Sequence, residues 1–202
     1  MTRKSANIPL FPLNIFLLPG EQLPLHIFEP RYQQLFNEAK HEDLTFGLPL
    51  IIKEKGISLV SECKLVQVTK EYDNGESDVI VEAVEVGELL QYNPVYEGKL
   101  YPGGRIAYRN DFNLDLEAPD ELLNLFREHI RLKFGNDQTY RQVAHYRLLD
   151  VAASIAMSNE DKVKLLTAEC DEQRLKLLVN NLRYINLLHL QENSIENGFI
   201  LN

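Results

Sequence analysis

The chain has 202 residues, no tryptophan, two methionines and two cysteines, Cys63 and Cys170. So few cysteines exclude a disulfide-stapled scaffold and make a reducing cytoplasm the default compartment. Both thiols are expected to be small core residues. The five histidines (26, 41, 129, 145 and 189) form no H-E-x-x-H pair and no metal-ligand spacing with cysteine, so neither a metal nor another cofactor is expected. No apolar run approaches the ~20 residues that span a bilayer, and no membrane role is expected. The run after Arg3-Lys4 is broken by Pro9 and Pro12, which makes a poor signal peptide. No G-x-x-x-x-G-K-[ST] phosphate loop occurs; Gly103-Gly104-Arg105 is too short and lacks lysine. Positive charge is also short: 21 Lys+Arg face 30 Asp+Glu, for a net charge of −9. The excess is shared, 11 basic against 15 acidic in residues 1–110 and 10 against 15 in 111–202. Neither half has the basic balance of a nucleic-acid-binding module.

Proline is concentrated instead. Ile8–Tyr32 reads IPLFPLNIFLLPGEQLPLHIFEPRY, with prolines at 9, 12, 19, 24 and 30. Proline lacks an amide donor and fixes φ, so this stretch is neither one helix nor a regular central strand. Its apolar pieces, Leu13–Leu18 and Leu25–Phe28, suit short strands or extended segments crossing a core. Pro19-Gly20 marks a turn. Glu29-Pro30-Arg31 starts a helix over Pro30–Lys40 that buries Tyr32, Leu35, Phe36 and Ala39.

Strand signals follow. Thr45–Ile52 reads as a strand with Pro49 at an edge or bulge, and Ser58–Lys70 alternates around Val60, Leu65, Val66 and Val68. Asn74-Gly75 is a hairpin signal. Val79–Val86 alternates, with Val79, Val81, Ala83 and Glu85 on one side and Ile80, Glu82, Val84 and Val86 on the other. Glu88–Tyr96 and Lys99–Arg109 add two β-like segments. The turn signals predict about six strands and one helix in this part. Prolines then end at Pro119 and leucine becomes frequent. Helices are predicted over Pro119–Phe134 (Leu122, Leu125, Phe126, His129 and Ile130 on one face), Thr139–Met157, Ser158 to about Ala168, and Glu172–Leu190. The closing Phe199-Ile200-Leu201 is expected to tuck against a neighbour. The fold class is α+β, with one domain over 1–115 and an α-helical subdomain over 116–202.

The opening pattern resembles the start of the amino-terminal, substrate-binding domain of Lon proteases. It is carried by Pro9, Leu10, Phe11, Pro12, Leu13, Leu17, Pro19, Gly20 and the unbroken run Leu23–Tyr32. Phe46-Gly47, the hairpin region Leu65–Val86 and Tyr101-Pro102-Gly103 extend it; in the helical half it rests on order and length. The resemblance implies a PUA-like β-barrel followed by an α-helical subdomain. It also implies a free-standing, non-catalytic module that binds unfolded polypeptide or a partner protein, related to proteolysis and protein quality control. Its ATPase and Ser-Lys peptidase domains have no counterpart in this sequence.

Candidate residues follow from both lines of reasoning. Phe11, Leu13, Phe16 and Leu17 are taken as a peptide contact surface, set against the alternative that they are core. Pro12, Pro19, Gly20, Pro24, His26, Glu29, Pro30 and Arg31 are taken as structural parts of the motif. His26 is expected to be a core histidine that fixes its loop by hydrogen bonds, and Glu29 with Arg31 an ion pair or cap at the helix start. Glu71, Asp73, Glu76 and Asp78 do not follow the calcium-loop spacing and read as a solvated hairpin tip. Ser61 with Lys64, or Ser158 with Lys162, imitate a Ser-Lys pair, but Ser61 lies in a predicted strand and Ser158 is a predicted cap. Two alternatives stand beside polypeptide binding. One is RNA binding through Tyr101, Arg105, Tyr108 and Arg109, which the acidic balance disfavours. The other is a hydrolase with an unrecognised site.

Overall fold

The computed structural model describes residues 4–52, 56–108, 114–135 and 145–200. It divides into two compact units, Met1–Asp111 and Phe112–Asn202.

The first unit is built from β1 (Ser5–Pro9), β2 (Gln22–Ile27), α1 (Pro30–Glu42), β3 (Phe46–Ile52), β4 (Ile57–Glu71), β5 (Ser77–Asn93) and β6 (Gly103–Tyr108). The strands form one antiparallel sheet in the order β1-β6-β5-β4-β3, with β2 added beside β5. The sheet closes on itself just after β1. Leu10 bridges Gly47 in parallel, and the Phe11 N–H donates to the Gly47 carbonyl at 2.8 Å. A side chain at 47 would obstruct this closure: an added Cβ would lie 2.5 Å from Val60 Cγ1 and 2.8 Å from Leu10 Cδ2.

The proline-rich stretch is not one element. Leu13–Leu18 forms no strand; it crosses the core irregularly and buries Phe16, Leu17 and Leu18. Pro19-Gly20 is the centre of a type II turn, with Gly20 at φ 90° and the Glu21 N–H donating to the Leu18 carbonyl at 3.0 Å. Helix α1 then buries the four predicted residues, Tyr32, Leu35, Phe36 and Ala39. They face an aromatic core in which Phe11 lies 4.3 Å from Tyr32 and Phe36 lies 5.1 Å from Phe46, centroid to centroid.

Strand β5 is one strand of 17 residues where two were predicted. The β4–β5 ladder slips between Glu62 and Cys63, which leaves Val84 as an extra residue. Such a bulge reverses the inside–outside alternation. Val86 is therefore buried and Glu85 exposed, the reverse of the predicted sides.

The second unit holds α2 (Asp120–Phe134), α3 (Leu148–Ser154), α4 (Asn159–Thr167) and α5 (Asp171–Ile200). Helix α3 is shorter than predicted. Residues 139–144 lie outside the described residues. Beyond them, the Ala118 N–H donates to the Tyr146 carbonyl and the Leu148 N–H to the Leu116 carbonyl, which holds 146–147 extended. Ser158 caps α4 by accepting the Asp161 N–H at 3.1 Å. Helix α5 continues ten residues past the predicted end, to Ile200. The expected packing of Phe199, Ile200 and Leu201 falls outside the described side chains. Among the described residues no helix is long and apolar enough to cross a membrane.

Candidate functional site

Three strands in the first unit, β2, the amino-terminal half of β5 and the carboxyl-terminal half of β4, lie side by side. Their inner side chains, Leu23, Leu25, Val79, Val81, Leu65 and Val68, join the aromatic core. Their outer side chains form three rows set by the pairing register: Gln22–Glu82–Lys64, Pro24–Ile80–Gln67 and His26–Asp78–Lys70.

The two flanking rows are polar and bonded across strands. Gln22 Nε2 donates to Glu82 at 2.8 Å, and Lys64 Nζ lies 3.0 Å from the same carboxylate. These hydrogen bonds hold Glu82 below the usual carboxylate pKa. In the other row, His26 Nδ1 meets Asp78 Oδ1 at 2.7 Å and His26 Nε2 meets Glu76 at 3.2 Å. The Tyr72 hydroxyl donates to the second Asp78 oxygen at 2.8 Å. The Asp78 hydrogen bond, joined by both acidic charges, raises the His26 pKa, and the same contact lowers that of Asp78.

The middle row is apolar at Pro24 and Ile80. Beside it, Val66 is the extra residue of a second bulge and is 46% exposed. Phe28, just beyond β2, is 60% exposed and stacks on the His26 ring with centroids 6.2 Å apart. An apolar strip of Pro24, Ile80 and Val66 thus lies between charged rows, with Phe28 beyond the His26 row.

The open edge of β2 limits how a ligand could approach. The Ala83 N–H donates to the Glu21 carbonyl, so Glu21, Leu23 and Leu25 turn their backbone groups toward β5. Gln22, Pro24 and His26 turn theirs outward, and Pro24 has no N–H to offer. Proline at an outward position blunts strand addition. Binding on this face therefore falls to side chains.

The predicted contact residues lie elsewhere. Phe11, Phe16 and Leu17 are at most 5% exposed and belong to the core; only Leu13 is half-buried. This corrects the contact-surface reading, because a side chain without free area offers none to a ligand. His26 is exposed rather than in the core, though it does make hydrogen bonds. Glu29 and Arg31 form an ion pair, Oε2 to Nη2 at 2.7 Å, at the start of α1. Pro12 is exposed in the crossing segment.

Ser61 has a clear structural role. Its Oγ accepts the Leu17 N–H at 2.9 Å and donates to the Leu17 carbonyl at 2.8 Å, pinning the crossing segment to β4. Burial, with the nearby Glu62 charge, pushes the Cys63 thiol up to about 12. Of the aromatic-plus-basic set, Tyr101 and Tyr108 are buried and Arg105 is exposed; Arg109 lies outside the described residues. Three of the four hairpin-tip acids are engaged by protein groups: Glu71 by Lys40 at 2.5 Å, Glu76 and Asp78 by His26. Among the described residues no group of three or more ligating side chains could hold a metal ion. Sequence reasoning passed over Val66 and Ile80, which come together only once the strand register is known.

A closed antiparallel barrel with one packed helix and a proline-rich crossing segment defines an α+β module. The chain belongs to the family of the ATP-dependent protease La (LON) substrate-binding domain, whose model matches residues 7–183. Its fold is similar to that of the Lon N-terminal domain protein from Xanthomonas campestris, with a TM-score of 0.59 at 20% identity over 87% of this chain and 98% of that one. It is also similar to the N-terminal domain of Mycobacterium avium complex Lon protease, with a TM-score of 0.58 at 15% identity over 88% and 98%. A comparison with curated proteins returned no match.

Proposed function

We propose that this chain is a non-catalytic module that holds exposed apolar segments of unfolded polypeptide on the outer face of β2, β5 and β4. The observation that carries this reading is the apolar strip of Pro24, Ile80 and Val66 between two bonded polar rows, with the exposed Phe28 just beyond the His26 row. Family membership supports it, since the matched family is described by substrate binding. Charged borders favour solubility of the empty face, while the strip supplies area to bury. The engagement of Ser61 with the Leu17 backbone supports a role without that serine as nucleophile. Two free cysteines fit work in a reducing cytoplasm.

The test is a fluorescence-anisotropy titration of the protein against a labelled, chemically unfolded polypeptide rich in apolar segments, beside a short structured RNA. Saturable binding to the polypeptide that persists at raised salt is expected. Burying Phe28 contributes about 1–2 kcal/mol, so Phe28→Ser weakens binding roughly 5- to 30-fold. Unchanged binding in Phe28→Ser and Val66→Ser removes this face from consideration. RNA binding that falls steeply with salt overturns the reading.

A further inference from the structure

The buried stripe of α2 outlasts its cover. Leu122, Phe126 and His129 are buried, and the same helical face continues through Ile130, Lys133 and Phe134. There it opens into a cavity of about 470 Å³, completed by Tyr146 and Ser154. That volume falls in the range of small-molecule sites, roughly 300–1,000 Å³. The walls are aromatic. The Phe126 ring lies 5.6 Å from Tyr146 and 6.3 Å from His129, and Phe134 is 63% exposed.

The polar groups are few, and one of them carries a charge. Lys133 Nζ stands 5.2 Å from the centre of the Phe134 ring, and none of these lining residues is acidic. Asn186 Nδ2 donates to the Leu125 carbonyl at 3.1 Å, which leaves its Oδ1 to accept from His129 Nδ1–H at 3.1 Å. That bond fixes the tautomer, with Nε2 as an acceptor. Burial, assisted by the charges of His189 and Lys133, pushes the His129 pKa below its ordinary value. The imidazole is therefore neutral at pH 7, and Lys133 is the charged group among the described lining residues.

We propose that this cavity of the helical unit binds a small organic carboxylate with an aromatic body. The ring lies against Ile130, Tyr146 and Phe134, with the 2% exposed Phe126 behind them, and the carboxylate pairs with Lys133. A cationic ligand meets repulsion from Lys133, and a neutral one forgoes the ion pair.

The test titrates the full chain with sodium phenylacetate, phenylacetamide and benzylamine, following the His129 and Phe134 ring signals by NMR. Phenylacetate is expected to saturate, the amide to bind about fivefold more weakly and the amine not to bind. Lys133→Met, at an exposed position, is expected to melt like the wild type and to bind phenylacetate no better than the amide. The His129 pKa is expected to rise in the phenylacetate complex, because the bound anion offsets Lys133. Three results each overturn the proposal: no saturation by ~10 mM, equal binding of the three probes, or undiminished phenylacetate binding by Lys133→Met.

Discussion

Replacing Ser61 with alanine breaks the tie between β4 and the proline-rich crossing segment. Ser61 is fully buried, and its hydroxyl serves both backbone groups of Leu17, itself 4% exposed. Alanine leaves a buried N–H and a buried carbonyl without partners, at about 1–3 kcal/mol each. Partial relaxation toward solvent recovers some of this, so the expected loss is about 2–4 kcal/mol. With a urea m-value of ~2 kcal/mol/M, the midpoint of the first unit falls by roughly 1–2 M. The assay is urea unfolding followed by NMR peaks of the first unit, which keeps the second unit out of the fit. Native-state hydrogen exchange at the Leu17 amide supplies a local readout, with protection lost in the variant. A midpoint shift under ~0.3 M together with an equally protected Leu17 amide would refute the reasoning.

Asp78→Asn removes the main cause of the raised His26 pKa, so the His26 titration moves down toward ~6.5. The stabilisation from this pair is fully present between about pH 4 and 6.5. It is lost as pH rises through the raised His26 value or falls through the lowered Asp78 value, and paired pH-dependent melts of wild type and variant check both limbs. Gly47→Ala forces a methyl against Val60, Leu10 and Ile8 and is expected to cost about 1–3 kcal/mol, read by thermal melting. Pro24→Thr returns an outward amide to the edge of β2 and is expected to cause concentration-dependent self-association in the ultracentrifuge. A variant as monodisperse as the wild type would show that the edge is blunted by something else.

Much of the fold was legible because local rules agreed with one another. The spacing of Tyr32, Leu35, Phe36 and Ala39 after Glu29-Pro30 marks both the start of α1 and its buried face. Ser158 and Asp161 mark the start of α4. What escaped depended on pairing between distant segments. Val86 was assigned to the wrong side because period-two counting takes no account of a bulge, and Val84 inserts one. The helix predicted from 139 overran because pairing to 114–118 claims the backbone of 146–148. The candidate face was the least legible feature. Pro24, Ile80 and Val66 come from three strands, and only the register makes them neighbours. The large apolar side chains of the proline-rich segment drew attention to themselves, but most of them serve the core.

Pro24 has one more consequence. A sheet edge that accepts an added strand reads the partner's backbone, and with it the partner's handedness and its direction from amino to carboxyl end. With its central outward position lacking a donor, the edge of β2 takes little part in such reading. On the proposed reading, what remains is a patch that senses apolar area, with charged side chains at its borders. A peptide of D-residues, or one with its sequence reversed, should then be held about as well as the original. This face would thus recognise the unfolded condition of a chain and take little account of its sequence.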